Sequence, residues 1–103
     1  MAEEVEAFAL RLVIGTHPEV PGANELAKKY ISVGASPRAA QAIFKTARAK
    51  AMLEGRYNVS FADVESVALP ALRHRVTLSF EALAEGITTD QIVKKIVSSI
   101  PKE

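Results

Sequence analysis

The chain of 103 residues has no cysteine and no tryptophan, and aromatic residues make up only 6% of it. Without cysteine there is no disulfide scaffold, no thiolate zinc or iron–sulfur site and no thiol nucleophile. The two histidines, His17 and His74, have no carboxylate cluster beside them, which speaks against a metal site. No apolar run approaches the roughly 18 residues a membrane span needs. The N-terminus carries Glu3, Glu4 and Glu6, so it does not read as the basic front of a signal peptide, and the expected location is the cytoplasm. Neither the G-x-x-x-x-G-K-S/T phosphate loop nor G-x-G-x-x-G occurs, so the chain cannot by itself build a nucleotide-hydrolysing or dinucleotide site. No paired carboxylates or Ser/His/Asp set suggest general acid–base or nucleophilic catalysis, which leaves a stand-alone enzyme without candidates.

What is present is an ordinary globular composition, 49% hydrophobic and 24% charged. The length fits one domain, able to bury roughly 60–70% of its unfolded surface. The net charge of +1 conceals an asymmetry. Residues 1–27 carry five Glu against Arg11, whereas residues 28–56 carry seven Lys and Arg against Glu54 alone. An anion site is therefore to be sought in the middle third.

The apolar spacing predicts a mainly α small helical bundle with at most a short two-stranded β element. Val5, Phe8, Leu12 and Val13 mark a helix over 3–16. Pro18, Pro21 and Gly22 mark a loop, and a second helix is expected over 23–32, with Asn24 as N-cap and Gly34 ending it in the left-handed conformation. The third has the clearest start, Ser36 as N-cap and Pro37 in the first helical position, and should run to Glu54 with Gly55 as its stop. Its alanines favour helix and allow close packing. Ser60 with Asp63 should cap a fourth helix that Pro70 interrupts. Residues 57–59 and 76–78 are candidate strand partners. Residues 79–86 fit a short helix or a loop. Thr88 and Gln91 form a capping box before a last helix with Ile92, Val93, Ile96, Val97 and Ile100 on one stripe, closed by Pro101.

On a helical wheel at about 100° per residue, Ala40, Ile43, Phe44, Ala47 and Ala51 share one sector, and Arg38, Gln41, Lys45 and Arg48 lie opposite. Arg38 is the sharpest of these. A cation in a first turn opposes the helix dipole, at a cost of about a few tenths of a kcal/mol unless an anion compensates it. An Arg beside a helix N-terminus is a ready phosphate site. The plain alternative is a solvated basic face. His74, between Arg73 and Arg75, is a second anion candidate or an exposed turn, and His17 reads as a surface loop residue. The aromatics do not interleave with the basic residues on one face, which argues for core positions and against a stacking platform for single strands.

The stretch Gly34-Ala35-Ser36-Pro37-Arg38-Ala39 resembles the sensor-2 segment of the MoxR family of AAA+ ATPases. The resemblance continues through Ala47-Arg48-Ala49, Leu53-Glu54-Gly55-Arg56, Val59-Ser60-Phe61-Ala62-Asp63-Val64, Leu72-Arg73-His74-Arg75 and residues 78–86. Phe61 stands where the family often has Pro, which leaves the helix start through Ser60 intact. The resemblance implies that residues 1–103 are one C-terminal lid domain, a fragment of a longer ATPase whose Walker motifs lie upstream, with Met1 as an artificial start. It implies that Arg38, with Ser36 and Pro37, meets the nucleotide phosphates as sensor 2, in its own subunit or a neighbour's. It further implies ATP and Mg2+ in the parent but none held by this fragment alone, and no resident metal site. The parent would be a ring, expected hexameric, with chaperone-like remodelling activity and a partner carrying a von Willebrand factor A domain. The competing reading is a stand-alone basic helical module in which Arg38, Lys45 and Arg48 bind nucleic acid. That reading predicts steep salt dependence, and the near-zero net charge weighs against it.

Overall fold

The computed structural model describes residues 2–102. Among these residues six helices and two short strands follow in order: α1 (Glu3–Ile14), α2 (Glu25–Tyr30), β1 (Ile31–Val33), α3 (Arg38–Leu53), α4 (Phe61–Arg73), β2 (Thr77–Leu78), α5 (Phe80–Ala84) and α6 (Thr89–Ser99). The main core lies between α1, α3, α4 and α6, where Phe8, Leu12, Ile43, Val64, Leu72 and Val93 are buried. Phe8 and Phe61 meet edge to face at 5.5 Å. The face of α3 turned to the core is small, with Ala39, Ala40, Ala47 and Ala51 buried around Ile43, so the neighbouring helices approach it closely. A smaller cluster of Ala27, Ile31, Ile92 and Ile96 joins α2 and β1 to α6.

The helical bundle with a two-stranded element is as the sequence indicates, but the strands pair differently. β1 lies antiparallel to β2, with Ile31 opposite Leu78 and Val33 opposite Thr77. The second helix therefore ends at Tyr30, where Ile31 turns to extended backbone with φ −116° and ψ 127°. β-branched Ile31 and Val33 favour that conformation, and burying Ile31 secures it. Residues 57–59 form no strand. Gly34 is not left-handed, since the glycines with positive φ are Gly22, Gly55 and Gly86. Gly55, at φ 76°, ends α3 as expected. Pro70 lies inside α4 without breaking it. It removes one ladder bond, and burial of Val67, Ala68, Ala71 and Leu72 around it holds the helix together. Residues 80–84 are helix, capped by the Ser79 hydroxyl, which accepts from the Ala82 N–H. The Ser60–Asp63 and Thr88–Gln91 capping boxes are both closed.

Candidate functional site

The segment leading into α3 emerges from the core and then turns outward. Ala35 is fully buried, and Ser36, Pro37 and Arg38 are exposed. Pro37 already has helical backbone, φ −56° and ψ −23°. Ser36 does not cap the helix with its side chain as expected. Its carbonyl takes the Ala39 N–H at 2.9 Å instead, and the Pro37 carbonyl takes the Ala40 N–H at 3.1 Å. The Ala39 and Ala40 amides are thus taken up within the turn, and its attraction for an anion lies chiefly in the dipole and the guanidinium.

Arg38 has no ion-pair or hydrogen-bond partner among the described residues, whereas most other cations are engaged. Arg11 donates to the Pro101 and Lys102 carbonyls, Arg56 grips Asp63 and Glu54, Arg73 holds Asp90 by two bonds, and Arg75 donates to the Ala71 carbonyl. Each of the other described helices has an acidic residue in its first turn, and α3 has none. Gln41, Lys45 and Arg48 continue the exposed ridge below Arg38.

A second charged group sits at the far end of α3 and faces inward. Asp63 is 1% exposed. Arg56 donates to both of its carboxylate oxygens at 2.7 Å, Lys50 donates to one at 3.0 Å, and the Ser60 N–H donates to the other at 2.9 Å. The Arg56 guanidinium, then the Ser60 amide, hold its carboxyl well below the usual carboxylate range, and Arg56 is raised in return. Sequence reasoning finds the cap and misses the cations, because nothing local signals that Arg56 folds back over Ser60.

The remaining candidates separate cleanly. His74 is the exposed C-cap of α4. His17 is not a simple surface residue. Its Nε2 lies 2.6 Å from the Ala35 carbonyl and its Nδ1 2.7 Å from Glu19 Oε2. Two aromatics expected in the core are on the surface, Tyr57 and Phe80, since the turn after Gly55 and the short α5 carry them outward.

A family model described as the AAA lid domain matches residues 23–96. The chain belongs to the AAA lid domain family. The lid is 35% identical over 94 residues to Chaperone MoxR1 of Mycobacterium tuberculosis, covering 90% of this chain and 25% of that protein. It is 45% identical over 53 residues to Protein MoxR of Paracoccus denitrificans, covering 52% of this chain and 16% of the relative. A crystal structure from Cytophaga hutchinsonii, provisionally assigned as an ATPase, superposes with a TM-score of 0.88 at 38% identity, over 97% of the lid and 30% of that chain. The lid is thus of the MoxR type, as the sequence motifs indicate, and it spans about a quarter or less of the length of the curated relatives it matches. The nucleic-acid alternative gains no support from these relatives. Among the described residues no helix is long and apolar enough to cross a membrane.

Proposed function

We propose that this lid is one domain of a longer MoxR-type AAA+ ATPase and supplies Arg38 to the phosphates of ATP bound by the ATPase domain. The observation that carries the proposal is the start of α3. There an exposed, unpartnered Arg occupies the positive end of a helix that has no acid in its first turn. Such a placement is unfavourable for the lid alone and becomes favourable when a phosphate arrives.

The guanidinium presents a planar pair of donors to phosphate oxygens and keeps its charge throughout. Aimed at the transferring phosphoryl group, it would offset the charge that develops there and so report whether that group is present. Ser36 and Pro37 set the approach, since the proline ring fixes φ just before Arg38. ATP with Mg2+ would supply the phosphoryl group to be transferred. Among the described residues no three His, Asp or Glu come together to hold a metal, and the part proposed for this lid is charge and position.

One charge-assisted contact yields about 1.5–3 kcal/mol, against about 8 kcal/mol for micromolar affinity. The lid alone should therefore bind ATP weakly and hydrolyse none. The ring assembly, the remodelling activity and a von Willebrand factor A partner join the proposal on the family resemblance alone. The test is ATP turnover of the longer protein with Arg38→Ala beside Lys45→Ala. Arg38→Ala should lower turnover by about tenfold or more, and Lys45→Ala should leave it near wild type. Equal turnover in wild type and Arg38→Ala would remove the assignment.

A further inference from the structure

We propose that Thr16 and His17 form a two-point clamp on the backbone of Ala35, and that this clamp positions Arg38. The clamp stands on the hydrogen bonds below; its link to Arg38 rests on the function proposed above.

The start of α3 has no side-chain cap of its own, so its direction must be set from elsewhere. The chain leaves α1 through Gly15, and the next two residues reach across to Ala35, 18 and 19 positions away in sequence. Thr16 is 0% exposed. Its hydroxyl donates to the Val13 carbonyl at 2.6 Å, which ties it to the end of α1, and accepts the Ala35 N–H at 2.9 Å. The His17 Nε2–H donates to the Ala35 carbonyl at 2.6 Å. Both backbone groups of one buried residue are thus held by adjacent side chains. Glu19 takes the other ring nitrogen at 2.7 Å and fixes the ring's rotation. Its carboxyl is held below the ordinary range, first by a backbone N–H and then by His17, which suits an accepting partner. Carbonyl and carboxylate both only accept, so the ring holds both bonds at once as the imidazolium and one of them as the neutral ring.

Gly34 completes the fit. A Cβ there would lie 2.7 Å from the Thr16 carbonyl oxygen and 2.9 Å from the His17 ring. The glycine is required by this close approach, not by its dihedral angles. From Ala35 the path to Arg38 is short and stiff, with Pro37 fixed at φ −56° and the Ala39 N–H closed onto the Ser36 carbonyl. A change in the clamp should therefore arrive at Arg38 as a change in direction.

The test has two readouts. In the 103-residue chain, amide exchange at Ala35 should rise about tenfold or more in Thr16→Val, which keeps the shape and loses the hydroxyl. His17→Ala should shift the amide resonances of residues 35–40 and leave those of residues 88–99 in place. His17→Gln, which can still donate to the Ala35 carbonyl, should restore them. Unchanged exchange and resonances in folded Thr16→Val and His17→Ala would overturn the clamp. If His17→Ala does not fold, folded Thr16→Val and His17→Gln decide it. In the longer protein, His17→Ala should lower kcat with little change in KM for ATP, and it should lower nothing further once Arg38 is Ala. Independent, multiplying losses would overturn the link to Arg38. Wild-type turnover in Arg38→Ala would overturn the function proposed above and that link together, while the exchange result still decides the clamp.

Discussion

The starts of α3 and α4 lie close in sequence and are built on opposite lines. At α4 the capping side chains and the buried carboxylate all have partners inside the lid. Ser60 and Asp63 exchange both capping bonds, and Arg56 and Lys50 neutralise the buried carboxylate. At α3 the side-chain cap and the acid are both missing, and an arginine stands at the end of the dipole where it is least welcome. A closed network stabilises the fold and leaves nothing to bind with. An open cation on a rigid helix end adds nothing to the fold and keeps its hydrogen-bonding capacity for a partner. This contrast, more than the number of basic residues, separates Arg38 from Arg56.

The largest effect expected from breaking the contrast is at α4. Asp63→Ala removes a cap and strands two cations beside a buried gap, and should cost about 3 kcal/mol, read by urea or thermal unfolding of the lid. Acid probes the same site. The folded carboxyl is held below its ordinary 3.8, so the stability it provides is complete above that pH and is lost only as the pH falls below it. Asp63→Asn should flatten that part of the acid unfolding profile. Gly55→Ala comes next. No atom lies within 4 Å of the added methyl, so the cost is the left-handed backbone at φ 76° alone, about 1 kcal/mol. The smallest effect sharpens the contrast from the other side. Arg38→Glu places an acid where the dipole favours one and should raise the melting temperature of the lid by about 2–5 °C. A clear drop would mean that Arg38 has a structural partner.

Local signals made much of this legible in sequence. Both capping boxes and the αL glycine after α3 involve residues within one turn of each other, where side-chain chemistry dictates backbone geometry. Arg38 stood out for the same reason, and the motifs beginning at Gly34 placed it in a family. Features that depend on distant residues were not legible. β1 found its partner in residues 77–78 rather than in 57–59. Gly34 was explained by the His17 ring rather than by its own dihedral angles. Pro70 was tolerated because the surrounding helix is buried. The Arg56–Asp63 bonds span a turn whose direction no short motif encodes.

The most direct test compares ATP turnover per folded molecule in the longer protein for Arg38→Glu and Asp63→Asn, at a temperature where both remain folded. Turnover should collapse in Arg38→Glu, the variant whose lid is at least as stable as wild type, and persist in Asp63→Asn, the less stable one. Turnover that instead followed lid stability, kept by Arg38→Glu and lost by Asp63→Asn, would contradict the account.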